Sequence, residues 1–185
     1  MRNYIESSKF ISLILRHQPE VIDIRLDENG WANVSELLVG MNRNGHIIDM
    51  VVLEEIVATN NKKRFVFNED KTKIRANQGH SIQVNLELQP AVPPDTLFHG
   101  TADRFLSSIQ THGLQRQGRN HVHLSSNRDT AVSVGRRHGK PVVLNIDAKS
   151  MVRDDYIFYI SENGVWLTSD IPVQYINIDR EEQSQ

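Results

Sequence analysis

The proline-rich stretch Gln89-Pro90-Ala91-Val92-Pro93-Pro94-Asp95 divides this chain more sharply than any other feature. Its three prolines fix φ and remove backbone donors, so neither a helix interior nor a central strand can run through it. It is too short for a flexible tether and reads as a stiff connector. The hydrophobic pattern differs on its two sides. Helices and then a hairpin precede it; strands alternating with helices, and then strands alone, follow it. A chain of 185 residues has room for two small lobes. We therefore expect an α+β protein with lobes at residues 1–88 and 96–179, joined by 89–95.

In the first lobe, Phe10, Leu13 and Ile14 recur at helical spacing and end at Leu15-Arg16-His17-Gln18-Pro19. Pro19 disfavours helix at Gln18, which places Arg16 and His17 in the last turn, and Ser7 or Ser8 is the expected cap. Leu26-Asp27-Glu28-Asn29-Gly30-Trp31 is a turn signal. Asn33 or Ser35 then opens a helix that passes Leu37 and Leu38 and stops at Asn44-Gly45. Asp49 caps a third helix carrying Val52, Leu53, Ile56 and Val57. Arg64-Phe65-Val66-Phe67 and Thr72-Lys73-Ile74-Arg75-Ala76 flank the polar turn Asn68-Glu69-Asp70-Lys71 as a β-hairpin. Three helices followed by a hairpin is the order of a winged-helix module.

In the second lobe, Thr96-Leu97-Phe98-His99 is a short strand ending at Gly100, followed by a helix from Asp103 to a stop at Gly113. His121-Val122-His123-Leu124-Ser125 alternates as a strand, and Asn127 caps a helix that reaches Val134. Residues 142–146, 156–160, 165–168 and 173–176 read as strands, with Glu162-Asn163-Gly164 as a hairpin turn. The Arg180-Glu181-Glu182-Gln183 tail is polar and expected to fray.

Composition narrows the chemistry. The absence of cysteine excludes disulfides, thiolate nucleophiles and cysteine-ligated zinc, and it fits a reducing cytoplasm. A net charge of −2 offers no global basic field, so any polyanion must meet a local patch. Neither a signal peptide nor an apolar run of membrane-spanning length is expected. There is no G-x-G-x-x-G, no G-x-x-x-x-G-K-[ST] and no G-x-S-x-G. His99, His112, His121, His123 and His138 raise the question of a metal. Carboxylates are scarce between residues 96 and 125, however, and the spacing fits no zinc pattern, so no metal is expected.

What stands out is cations beside turn residues. Arg16 beside His17 offers a planar fork of donors next to an imidazole that titrates near neutral pH, a combination suited to phosphate. The same pair also simply complements a helix C-terminus. Lys62-Lys63-Arg64, Arg75-Ala76-Asn77-Gln78-Gly79-His80-Ser81, Arg116-Gln117-Gly118-Arg119-Asn120 and Gly135-Arg136-Arg137-His138-Gly139-Lys140 each lie at an element terminus. Any one of them alone reads as a solvated loop. Together they point to a polyanionic ligand, of which RNA phosphate is one candidate.

Ser8-Lys9-Phe10 through Leu15-Arg16-His17, Gly30-Trp31, Lys63-Arg64-Phe65, Arg75 through Ser81, Phe98-His99-Gly100-Thr101 and Arg119 through Ser125, in this order, resemble the NAD-dependent RNA 2′-phosphotransferase family, whose eukaryotic members act at the end of tRNA splicing. The resemblance runs from about Ser7 to about Ile178. It implies a winged-helix-like RNA-binding lobe and a lobe with the ADP-ribosyltransferase NAD fold. It also implies an RNA-repair reaction in two steps. An internal RNA 2′-phosphate attacks C1″ of the nicotinamide ribose and expels nicotinamide. The ribose O2″ then attacks the phosphorus and releases the RNA 2′-hydroxyl, giving ADP-ribose 1″,2″-cyclic phosphate.

By the resemblance, Arg16, His17, Arg64 and Arg119 are the catalytic set. The first nucleophile is already an anion and its leaving group a neutral amine, so placement by Arg clamps matters more than a strong base. In the second step charge builds on phosphate oxygens, where fixed cations stabilise it and His17 handles a proton. His99-Gly100-Thr101 resembles the first-strand motif that holds the NAD ribose and amide, with Gly100 allowing close backbone approach. His123 and Ser125, on one face of the next strand, and Arg136 complete the expected NAD site. Lys63, Arg75, Gln78 and His80 are the expected RNA contacts. The catalytic Glu of many protein-modifying transferases has no counterpart, because Glu162 falls in a turn. The expected protein is a cytoplasmic monomer that takes RNA carrying an internal 2′-phosphate (tRNA-like) and consumes NAD+, with no membrane partner. Two other readings fit parts of the pattern: an NAD- or ADP-ribose-sensing winged-helix regulator, and a nucleic-acid-end ADP-ribosyltransferase that stops after the first step.

Overall fold

A computed structural model describes residues 4–60 and 62–178. The polar tail at 180–183 lies outside them. The chain forms two compact units, residues 1–88 and 89–185. Among the described residues, six α-helices and nine short strands make a mixed α+β architecture.

The first unit packs three helices, α1 (Ile5–Arg16), α2 (Val34–Arg43) and α3 (Met50–Thr59), with a three-stranded antiparallel sheet. The strands are β1 (Ala32–Asn33), β2 (Phe65–Phe67) and β3 (Lys73–Ala76), in the order β1-β3-β2. Asn33 and Asp49 cap α2 and α3 by accepting from Glu36 N–H and Val52 N–H, as their side chains suggest. Neither Ser7 nor Ser8 caps α1. The helix begins at Ile5 after Tyr4, leaving both serines inside it, and Ser12 hydroxyl bonds back to the Ser8 carbonyl. The strand β2 starts at Phe65 rather than Arg64, because Arg64 turns its backbone carbonyl to Asn77 N–H instead. β1 is too short to carry an alternation, and pairing with β3 defines it. The core is Ile11, Ile14, Leu15, Leu37, Leu53 and Ile74, all fully buried, with Phe65 and Ile56 beside them. Each such side chain contributes about 1.5–3 kcal/mol through burial.

In the second unit, β4 (Thr96–Ala102), β6 (Pro141–Asp147) and β9 (Ile176–Ile178) form one antiparallel sheet in the order β4-β6-β9. β5 (Val122–Leu124), β8 (Trp166–Thr168) and β7 (Tyr159–Ile160) form another in the order β5-β8-β7. Helices α4 (Leu106–His112), α5 (Arg128–Gly135) and α6 (Ala148–Arg153) pack with them. Leu97, Leu144, Ile146 and Met151 are fully buried at the centre. Asn127 accepts from Thr130 N–H at the start of α5.

Several expectations need correction. β4 runs through Gly100 to Ala102, because β6 pairs with it along its whole length and overrides the glycine's weak strand preference. Residues 173–175 are a 3₁₀ turn, and the strand lies at Ile176–Ile178, where Pro172 sets the turn. The helix α6 follows Asp147, whose carboxylate accepts from Ser150 N–H. The connector is not a bare spacer: Ala91 N–H donates to the Phe158 carbonyl (2.8 Å) and Lys149 N–H to the Asp95 carbonyl (3.1 Å). Ala91 thus supplies a backbone donor that the connector's prolines lack.

Candidate functional site

In the first unit, the end of α1 and the segment after β3 meet. Arg16 closes the helix, and His17 follows with its N–H still bonded to the Leu13 carbonyl (2.9 Å). Segment 77–81 is then fixed at both ends. Asn77 N–H donates to the Arg64 carbonyl (2.9 Å) and Asn77 Nδ2 to the Lys63 carbonyl (2.6 Å). Ser81 N–H donates to the Arg16 carbonyl (3.0 Å), and Ser81 Oγ lies 2.9 Å from His17 Nδ1. Between these anchors Gly79 turns at φ +90°, a backbone that L side chains rarely adopt, and faces the Arg16 guanidinium. Arg64 Nη1 donates to Asn60 Oδ1 (3.2 Å) at the end of α3. One segment therefore touches the backbones of both Arg16 and Arg64.

Around this lie the other cations of the unit. The Arg75 guanidinium sits 4.4 Å from the centre of the Trp31 ring and 3.8 Å from a Glu87 carboxylate oxygen. His80 is 2 % exposed, and neither ring nitrogen has a hydrogen-bond partner. Burial, with Arg16, His17 and Arg75 nearby, pushes its pKa down to about 4. His80 is thus a neutral group inside a cationic neighbourhood. It packs beneath the Gly30 turn rather than reaching outward, which argues for support rather than direct RNA contact. Lys63 is exposed, at φ +40°, and Gln78 is half-buried.

In the second unit the sequence-expected residues gather where β4 meets β5. Phe98 and Ser125 exchange two backbone hydrogen bonds of 2.8 Å, which brings His99 to His123. His99 Nδ1 lies 2.9 Å from the His123 carbonyl. A carbonyl only accepts, so Nδ1 carries the proton and any ligand meets His99 through Nε2. Burial, and then Arg119 and His138, hold the His99 imidazole below its ordinary pKa against the opposing backbone bond. Arg119, exposed, reaches His123 Nδ1 at 3.5 Å. Val122 and Leu124 point into the core, leaving His123 and Ser125 on the other face of β5, and Ser125 Oγ accepts from Asn127 N–H (3.0 Å).

Gly100 allows a close backbone approach within the chain itself. A Cβ there would lie 1.8 Å from the Ala131 carbonyl oxygen, so the backbone that approaches it is that of α5. Thr101 is buried, and its carbonyl abuts Gly135 in the same helix contact. Arg136 is exposed at the C-terminal end of α5, and nothing in the structure joins it to His99. Glu162 is exposed in its hairpin turn. Among the described residues no three His, Asp or Glu side chains gather as a metal site would require.

Sequence reasoning passed over Asn60, Asn77 and Ser81. A polar residue only 7 % exposed, such as Asn77, is the kind of group that buried hydrogen bonding explains. Its signal in the sequence was its place in the 75–81 run, between Arg75 and Gly79.

The family model described as RNA 2′-phosphotransferase, Tpt1 / KptA family, matches residues 2–170. The chain belongs to this RNA 2′-phosphotransferase family. A relative from Acaryochloris marina, named "Probable RNA 2′-phosphotransferase", is 56% identical over 168 residues, 91% of this chain and 93% of its own length. One of the same name from Fusobacterium nucleatum is 54% identical over 177 residues, covering 95% of this chain and 99% of its own. A third, from Flavobacterium johnsoniae, is 52% identical over 169 residues. As an RNA 2′-phosphotransferase family member, the chain is assigned to the transferases. The match spans both units, so it includes the Arg16–Ser81 network and the His99–His123 network alike.

Proposed function

We propose that the chain removes an internal 2′-phosphate from RNA by transferring it to NAD+, through an ADP-ribosylated 2′-phospho-RNA intermediate. The products are RNA with a free 2′-hydroxyl, nicotinamide and ADP-ribose 1″,2″-cyclic phosphate. In this reading the first unit is a winged-helix-like RNA lobe and the second an ADP-ribosyltransferase-like NAD lobe. The protein works as a cytoplasmic monomer on tRNA-like RNA. The observation that supports the reading most is that Arg16 and Arg64 are held by a single hydrogen-bonded segment, 77–81, within a chain that matches the family over 2–170. A guanidinium that is itself held, as Asn60 Oδ1 holds that of Arg64, needs little reorganisation as charge develops on a phosphate.

The residues divide the work as follows. Arg16 and Arg64 clamp the phosphate and His17 exchanges a proton in the first unit, and Arg119 of the second unit stabilises charge. His99 fits an NAD site as a neutral imidazole whose orientation the His123 carbonyl fixes, with His123 and Ser125 on the neighbouring strand. Thr101 and Gly100 serve it by packing β4 on α5. Arg136 offers its charge to a pyrophosphate, Lys63 and Arg75 offer theirs to RNA, and Gln78 offers RNA its neutral amide. NAD+ when bound supplies the electrophilic ribose carbon and the hydroxyl that receives the phosphate.

The test is to incubate the protein with NAD+ and a short RNA carrying one internal 2′-phosphate, and to follow the RNA by mass. Loss of one phosphate only when NAD+ is present is the expected result. An ADP-ribosyl adduct that persists would indicate an enzyme that stops after the first step. Unchanged RNA with measurable NAD+ binding would favour a sensor.

A further inference from the structure

His17 lies just beyond the end of α1, at its C-cap. What meets the ring is Ser81, 64 residues away in the chain, with Oγ 2.9 Å from Nδ1. The backbone of Ser81 is itself bonded to Arg16, the residue next to His17, so hydroxyl and imidazole are set from a common frame. The other end of the segment is fixed by Asn77 on Lys63 and Arg64, and His80 is buried beside it. Ser81 is exposed and adds nothing to the core. Its side chain has a position fixed by its neighbours and a contact with the one titratable residue of the expected catalytic set.

We propose that Ser81 is a positioning residue for transfer: its hydroxyl occupies His17 Nδ1, fixes the ring and confines proton exchange to Nε2. A hydroxyl suits this task better than a carboxylate in such surroundings. It donates to Nδ1 of the neutral ring and accepts from Nδ1–H of the charged ring, so the contact survives both states. A carboxylate would favour the charged ring alone. The charged and titratable groups near this pair are Arg16, His80 and, on β3, Arg75; the two guanidiniums only donate, and His80 packs beneath the Gly30 turn. The role rests on the transferase reading, in which His17 moves a proton during the second step.

The test compares wild type, Ser81→Ala and Ser81→Thr in the full-length protein, using the 2′-phosphorylated RNA with NAD+ and, separately, the ring nitrogen resonances of His17. Ser81→Ala should lower kcat about tenfold, the scale of one hydrogen bond, with KM for RNA changed less than about twofold. ADP-ribosylated RNA should accumulate, because the second step needs the proton. Ser81→Thr, which keeps the hydroxyl, should recover most of kcat. The His17 Nδ1 resonance should shift in Ser81→Ala and stay near wild type in Ser81→Thr, with His99 unmoved in both. An unchanged kcat, a loss confined to KM, or a threonine variant as slow as alanine would overturn the proposal. If wild type leaves the phosphorylated RNA intact, the transferase reading fails instead. The nitrogen resonances then decide the contact: an unmoved His17 Nδ1 in Ser81→Ala overturns it as well.

Discussion

At the scale of single residues, the first unit places charge and neutrality side by side. Arg64 is bonded through Nη1 to Asn60 and through its carbonyl to Asn77, so one neighbour holds its fork and another its backbone. Arg64→Lys keeps the charge but not the planar fork, and should lower kcat by about 100-fold or more, the scale of losing one preorganised donor. The melting temperature should stay within a few degrees, which thermal unfolding checks. His80 makes a different prediction. Its folded pKa of about 4 lies below the ordinary imidazole value of 6.5, so between those values the unfolded chain binds the extra proton. Stability is therefore fully present above about pH 6.5 and declines as pH falls towards 4, by ~3 kcal/mol for this group. Urea titrations at pH 7 and pH 4.5 should show a smaller fall for His80→Leu than for wild type. An equal fall would mean that His80 already titrates normally. The positions of Arg16 and His17 at the end of α1 were legible because proline and helix-end rules locate them. Ser81 was not, since only the fold brings residues 17 and 81 together.

At the scale of elements, packing between helix and strand decides what the sequence motifs mean. His99-Gly100-Thr101 reads as a ligand motif, yet Gly100 is required because the α5 backbone lies against β4. Gly100→Ala should destabilise the protein by about 3 kcal/mol or more, since a Cβ 1.8 Å from a backbone carbonyl must push α5 off the sheet. Denaturant unfolding without any ligand checks this. A normal midpoint would return the glycine to a purely ligand-facing role. Gly79→Ala, by contrast, meets the Arg16 side chain only at ordinary contact distance (3.6 Å) and suffers chiefly from φ +90°, a cost on the order of 1–2 kcal/mol, felt as a shift of segment 77–81. Capping side chains made α2, α3 and α5 legible: Asn33, Asp49 and Asn127 all bond as their positions suggest. Elements defined by partners were not. β1 exists through pairing with β3, and the last strand sits three residues later than its β-branched run implies, because Pro172 and the turn after it take up Val173.

At the scale of the whole molecule, the charge balance is as telling as any site. With a net charge of −2, RNA cannot be held by a general field, and in the proposed reading Lys63, Arg75, Arg16 and Arg64 are the cations that the first unit offers to it. Binding of a single-stranded 2′-phosphorylated RNA should therefore lose affinity with salt at a log–log slope of about −2 to −3, measurable by anisotropy across a salt series. A much steeper slope would require cations outside this set. The division into two units follows from the proline-rich stretch and the change of periodicity across it, both plain in the sequence. The assignment of 89–95 to the second unit depends on its hydrogen bonds to Phe158 and Lys149, which composition does not announce. The two tryptophans of the chain fall one to each unit, Trp31 beneath the Arg75 guanidinium and Trp166 in the buried strand β8. Each half of the protein thus carries its own built-in fluorophore. RNA that draws Arg75 off its indole would brighten or shift Trp31 emission while Trp166 stays silent, and a Trp166→Phe variant would turn that signal into a label-free optical reading of one unit alone.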